Sequence, residues 1–224
     1  KAEADASIDI IIGNNKKQEL IPILESYRTG HQKTTECVDI NHTKEYENLE
    51  IDRTEEHTRA YLKVQDGCNQ FCTYCIIPYA RGRIRSKKTE DVVNEVKRLA
   101  ASGCQEVVLT GIHLSSYGKE RPENQENLLT LIQAVHQVGG IERIRLGSLE
   151  PGIITEEFAA AISSLPKVCP HFHLSLQSGC TTTLKRMNRR YTAEEYREKC
   201  KILRKYYPAP ALTTDVITGF PGET

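Results

Sequence analysis

From Arg59 onward the chain alternates short β-rich runs with amphipathic helical patterns, and this alternation restricts the fold more than any other feature. The extended runs are Tyr61–Val64, Glu106–Leu109, Ile141–Leu146, His171–Leu176 and Ala211–Ile217. Between the first two, Val92, Val93, Val96, Leu99 and Ala100 keep the spacing of a helix with one apolar face, and Gly103 is placed to end it. Leu128, Leu129, Leu131, Ile132 and Val135 repeat the pattern ahead of Gly139–Gly140. Thr155 is a cap for a helix carrying Phe158 and Ile162, and Thr192 with Glu195 has capping-box spacing ahead of Tyr196, Cys200 and Leu203. Strands that alternate with helices pair in parallel through crossovers, so the expected class is α/β, with about five βα units.

The polar and glycine-rich segments fall at the C-terminal ends of these strands. They are the Cys68–Cys75 loop, Thr110–His113, Ser148–Glu150, Gln177–Gly179 and Gly219–Gly222. Barrels and open α/β sheets assemble their active sites at that end, because each strand delivers one loop there. Stability alone does not require such a gathering, so the pattern points to an enzyme.

Composition removes several classes. Hydrophobic residues are 38% and charged residues 27% of the 224, ordinary globular usage that excludes a disordered or collagen-like chain. No apolar run approaches the ~18 residues of a membrane span, and no basic, then apolar, leader opens the chain. These features predict a cytoplasmic protein with no membrane partner. Thirty basic residues balance thirty acidic ones, so a nucleic-acid partner would have to be held by local patches. The first residue is Lys1 rather than Met, which predicts an internal piece of something longer.

Eight cysteines are the compositional anomaly. Cys68, Cys72 and Cys75 sit within eight residues, whereas Cys37, Cys104, Cys169, Cys180 and Cys200 are scattered. A tight thiol cluster in a chain without a secretory leader reads as a metal site rather than a disulfide framework. A closed zinc or redox-only cluster site takes four ligands, and no second CxxC pair completes one here. Three thiolates suit a 4Fe–4S cluster with its fourth iron open to substrate or cofactor. The alternative is a structural zinc that borrows His113 or a distant cysteine.

With its surroundings, this cysteine spacing resembles the radical S-adenosylmethionine (SAM) methylthiotransferases. The likeness is carried by YLKVQDGCNQFCTYCIIPYARGRIRSK (61–87), RIRLGSLEP (143–151), HFHLSLQSGCTTTLKRMNRRY (171–191) and TTDVITGFPGET (213–224). Leu109–Gly118 and Asp39–Thr43 most resemble the bacterial branch that modifies threonylcarbamoyladenosine in tRNA. The resemblance implies a partial (β/α) radical SAM barrel over residues 59–224, truncated at its C-terminal end. Residues 1–38, with an Ile8–Ile12 strand and a helix through Leu20, Ile21, Ile23 and Leu24, would be the remnant of an N-terminal α/β domain. Residues 39–58, acidic from Glu45 to Glu56, would be a solvated linker.

The resemblance also implies roles. Cys68, Cys72 and Cys75 would ligate the cluster, and SAM would chelate its open iron. Reductive cleavage of SAM would give a 5′-deoxyadenosyl radical that abstracts hydrogen from C2 of the adenosine beside the anticodon, where sulfur and a methyl group are then added. Tyr74, Gly111, Ser148, Glu150, Gln177, Arg190 and Gly219 would contact SAM, and no residue is assigned as an acid or base catalyst. Five of them have a plainer reading: Tyr74 as a core aromatic, Gly111 as a turn glycine, Glu150 as a helix-start carboxylate, Gln177 and Arg190 as supporting polar groups. Val216 and Ile217 would flank adenine or simply pack. The partners implied are tRNA, through its anticodon loop, and an electron donor such as flavodoxin or ferredoxin. Isopentenyladenosine tRNA or a ribosomal protein is an alternative substrate, and a non-catalytic metal-binding RNA module an alternative class.

Two basic patches would grip tRNA phosphates: Arg81, Arg83, Arg85, Lys87 and Lys88, and the Lys185–Lys205 segment with nine basic against three acidic residues. Cys104 and Cys200 are expected as small buried hydrophobes. His171 and His173 alternate with Phe172 and Leu174 and are expected on the barrel-interior face, in core or supporting roles like His113. The resemblance implies that full-length relatives carry three further cysteines for a second cluster and a C-terminal RNA-binding domain, both expected to lie outside this stretch. The fragment is therefore expected to bind one cluster and SAM without methylthiolating tRNA; methylthioadenosine formed in tRNA by this chain alone would overturn that.

Overall fold

The computed structural model describes residues 2–50 and 58–223. In chain order it comprises β1 (Ile10–Ile12), α1 (Leu20–Gly30), β2 (Thr34–Glu36), β3 (Arg59–Asp66), α2 (Ile77–Ala80), β4 (Arg85–Ser86), α3 (Thr89–Ala101) and β5 (Glu106–Gly111). There follow α4 (Leu128–His136), β6 (Arg143–Leu146), α5 (Glu156–Ser163), β7 (His171–His173), α6 (Thr181–Arg186), α7 (Ala193–Tyr206) and β8 (Ala211–Thr213).

The five expected strands are β3, β5, β6, β7 and β8. β3, β5 and β6 pair in parallel, and bridges from Ile144 to Val168 and from Leu149 to Leu174 carry the sheet on to β7, which pairs in parallel with β8. The result is a curled half-barrel, with β4 antiparallel on the β3 edge. β7 and β8 are shorter than their apolar runs suggest. Past His173 and Thr213 the pairing is reduced to isolated contacts: the Leu174 N–H to the Thr213 carbonyl at 2.9 Å, and a bridge from Gln177, which turns to φ +68°, to Val216.

Alternation along the strands separates two faces. Ala60, Leu62 and Val64 of β3 and Val107 and Leu109 of β5 are buried against Val92, Val96 and Leu99 of α3 and Leu131, Ile132 and Val135 of α4. Phe158 and Ile162 of α5 and Leu203 of α7 extend the same core under Phe172 and Leu174, with Cys104 and Cys200 inside it. His171 and His173 stand on the other, concave face, where His173 Nδ1 meets Thr213 Oγ1 at 3.1 Å. The helix starts follow their capping chemistry: Thr155 Oγ1 accepts the Phe158 N–H, and Thr192 and Glu195 satisfy each other's backbone N–H groups.

At the N-terminal end β1 pairs in parallel with β2. The apolar side of α1 has no buried residue, and Leu20, Ile21 and Leu24 are exposed. The acidic stretch expected as a solvated linker is exposed at Glu45, Leu49 and Glu50 and makes several fixed contacts in its described part. Glu47 accepts from the Gln18 N–H at 3.0 Å and pairs with Lys17, the Tyr46 hydroxyl donates to the Lys63 carbonyl, and Glu50 pairs with Arg98. The partners come from the turn before α1, from β3 and from α3. Residues 51–57 of that linker lie outside the described residues. Among the described residues no helix is long and apolar enough to cross a membrane.

Candidate active site

β3 ends at Asp66, and the chain turns at once into the cysteine loop. Gly67 adopts φ +70°, and a Cβ there would stand 1.9 Å from the Arg83 carbonyl oxygen, so this position accepts only glycine. The Asp66 carboxylate accepts the Gly67 N–H at 2.8 Å and two bonds from Arg81, at 3.0 and 2.6 Å, tying the two ends of the loop together. Burial would lift the Asp66 carboxyl, but Arg81, Lys63 and the Gly67 N–H hold it down at about 2. The far side of the loop hangs on the segment after α6. Thr73 N–H and hydroxyl donate to the carbonyls of Met187 and Arg186, and the Asn188 amide donates to Phe71 and Gln70.

Cys68 and Cys72 are buried and Cys75 is partly open. Burial, together with its two neighbouring thiols, raises the Cys68 pKa. A bound cationic centre relieves the mutual repulsion of neighbouring thiolates. His113, the suggested fourth zinc ligand, is already engaged: Nδ1 lies 2.5 Å from Ser116 Oγ, and Nε2 faces Glu150 and Gln70 at 3.4 Å. Thiolates on one zinc stand about 3.8 Å apart, from bonds near 2.3 Å at tetrahedral angles. Among the described residues no three His, Cys, Asp or Glu side chains form a group that would hold one ion. Three thiolates on one loop suit a cluster in which each serves a different iron and the fourth iron stays open.

Of the residues named from sequence, Glu150 is the one drawn to the cysteines. Its carboxylate accepts from Arg189 Nη2 at 3.0 and 3.1 Å, and Arg189 Nη1 donates to Cys72 Sγ at 3.2 Å. Sequence reasoning selected the neighbouring Arg190. That side chain is exposed and instead lines a cavity of about 620 Å³ with Gln70, His113, Glu150 and Tyr191. Arg189 was missed because adjacent residues in a turn look identical in sequence. The neighbouring Tyr191, which accepts from Arg189 Nε at 2.9 Å, was the available signal.

Gly111 is explained by close approach rather than by a turn: a Cβ would meet Gln65 Cβ at 2.8 Å. Gln65 in turn accepts the His113 N–H at 2.7 Å and donates to the carbonyls of Asp66 and Gly67, linking the β5 loop to the cysteine loop. Tyr74 is 41% exposed, not a core aromatic, and stands edge-on to Phe220 at 6.1 Å. Ser148 is exposed after β6, Gln177 follows β7, and Gly219 turns at φ +72° with open space around it.

The first basic patch is not the one expected. Arg85 and Lys87 are almost fully buried: Arg85 donates to the carbonyls of Arg83 and Arg81 beside Asp66, and Lys87 pairs with Glu95. Both lie on or beside β4, whose pairing with β3 turns them inward, and Arg81 is committed to Asp66. Arg83 and Lys88 remain exposed.

A model of the radical SAM superfamily matches residues 62–224. The chain belongs to the radical SAM superfamily. The threonylcarbamoyladenosine tRNA methylthiotransferase MtaB of Aquifex aeolicus is 44% identical over 217 residues, 97% of this chain and 52% of that protein. The tRNA-2-methylthio-N(6)-dimethylallyladenosine synthase of Clostridium novyi is 39% identical over 220 residues, 97% of this chain and 47% of that protein. This radical SAM chain thus spans about half the length of the curated relatives it matches. Among solved structures, the radical SAM methyltransferase TsrM from Kitasatospora setae, bound to tryptophan and a SAM analogue, superposes with a TM-score of 0.60. It shares 19% identity and covers 74% of this chain and 31% of its own, a likeness of fold alone.

Proposed function

We propose that this chain is the radical SAM core of a tRNA methylthiotransferase that modifies C2 of N6-threonylcarbamoyladenosine next to the anticodon. The observation that carries this reading is the Cys68–Cys72–Cys75 loop, set at the C-terminal end of β3 with Glu150 and Arg189 against it. The two tRNA-modifying relatives and the Leu109–Gly118 segment support the substrate. The 39% identity to the dimethylallyladenosine synthase favours a second reading, in which isopentenyladenosine is the target. We assign residues 59–224 to the core, 39–58 to a connector and 1–38 to part of a neighbouring domain. The setting we infer is cytoplasmic, with flavodoxin or ferredoxin as electron donor.

The family's 4Fe–4S cluster and SAM supply one-electron chemistry able to attack an unactivated C–H bond. The chain's own residues hold and orient them. Cys68, Cys72 and Cys75 would ligate the cluster. Glu150, fixed by Arg189 and by its own N–H to Ser115 Oγ, offers a carboxylate to SAM's hydroxyl or amino groups, with Ser148, Gln177 and Arg190 as further polar contacts. Tyr74 against Phe220 screens the mouth from water, and Gly111, packed on Gln65, and Gly219, in its left-handed turn, shape the strand-end loops that would contact SAM.

The test is anaerobic reconstitution of the chain, then dithionite and SAM. The expected result is about four irons and four sulfides per chain, with 5′-deoxyadenosine released. Zinc at this loop without sulfide, or a cluster that never cleaves SAM, would overturn the reading.

A further inference from the structure

We propose that Arg189 is a positioning residue that fixes the electron density on Cys72 and thereby raises the reduction potential of the cluster held by the cysteine trio; this rests on the cluster assignment above. Every nitrogen of its guanidinium is committed. Nη1 donates to Cys72 Sγ at 3.2 Å, Nη2 donates to Glu150 at 3.0 and 3.1 Å, and Nε donates to the Tyr191 hydroxyl at 2.9 Å. The Tyr191 hydroxyl in turn donates to the Ser175 carbonyl at 2.6 Å, so the acceptor that aims the fork is itself held by β7's continuation. The side chain is only 8% exposed, and its charge is offset by Glu150 rather than by water.

The three cysteines are therefore unequal. Cys68 receives a neutral backbone N–H from Gln70 at 3.4 Å, whereas Cys72 receives a cationic donor in a water-poor setting. Charge-assisted bonds are roughly twice as strong as neutral ones, and hydrogen bonds to ligating sulfurs are among the determinants of a cluster's potential. Drawing electron density from Cys72 stabilises the reduced state, which carries the additional negative charge.

The experiment compares the reconstituted chain with its Arg189→Met, Arg189→Lys and Tyr191→Phe variants. Iron and sulfide are counted, and the cluster midpoint is followed by electron paramagnetic resonance during a mediated titration. We expect a midpoint displaced to more negative potential in Arg189→Met, largely restored in Arg189→Lys, and displaced less but in the same direction in Tyr191→Phe. An Arg189→Met cluster with full iron and an unmoved midpoint overturns the inference. If Arg189→Met loses its cluster, Tyr191→Phe decides: it keeps the charge but not the acceptor that aims it, so a midpoint equal to the unaltered chain's overturns the inference and a negative displacement supports it. Failure of the unaltered chain to bind iron and sulfide would instead refute the cluster assignment itself.

Discussion

Replacing Asp66 by Asn tests how the cysteine loop is held. The carboxylate joins the first residue of the loop, Gly67, to Arg81 beyond it, and it faces Arg85, whose guanidinium is 1% exposed, at 3.7 Å. A carboxyl held at about 2 against an ordinary 3.8 stabilises the folded chain by about 2 kcal/mol at neutral pH. Asn keeps the shape and one acceptor but leaves Arg85 without its charge partner, which adds to the loss, and removing one partner of a buried pair outright costs about 3–5 kcal/mol. Asp66→Asn is therefore expected to lose about 2–3 kcal/mol at pH 7, read as a fall in the urea midpoint of about 1–2 M for a slope near 2 kcal/mol/M. The pH dependence has a definite sign. The folded-state carboxyl is depressed, so its contribution is full above the unfolded value of about 3.9 and is lost as pH falls through about 2. About half of the difference between the two proteins should be gone by pH 3. A gap below 1 kcal/mol at pH 7, or one that does not narrow between pH 5 and pH 3, would refute this account of the loop.

Gly67→Ala should displace the loop, because a Cβ would overlap the Arg83 carbonyl; iron uptake during reconstitution is expected to fall sharply while far-ultraviolet circular dichroism is retained. Leu131→Ala, in the core between α4 and the sheet, should cost about 2–5 kcal/mol by urea denaturation without altering the iron content of the folded protein. Joint replacement of Arg83 and Lys88 by Ala should weaken tRNA binding and reduce the slope of log affinity against log salt by about 2, whereas replacing the buried Arg85 should lower stability and leave that slope unchanged.

Legibility followed the kind of signal. Helix starts at Thr155 and Thr192 were readable because capping is local: the hydroxyl three residues before an N–H is close in any helix. The β-rich runs marked β3, β5 and β6 well, but they overran β7 and β8, beyond which the pairing between distant segments is reduced to isolated contacts. The unforeseen two-residue β4 carries no periodicity of its own, yet it converts part of an apparent phosphate-gripping run into buried structural charges.

By itself the sequence determined the βα order, the helix caps and a trio of thiols following the first strand of the barrel, because each depends on residue type at short spacing. Only the tertiary structure decided that Arg189 rather than Arg190 reaches Cys72, that Glu150 is its counter-charge and that Arg85 and Lys87 are buried. The physical reason is that direction and burial of a side chain are set by neighbours distant in the chain. Two adjacent arginines are chemically the same until the fold gives one a carboxylate and a thiol, and the other a solvent-facing wall.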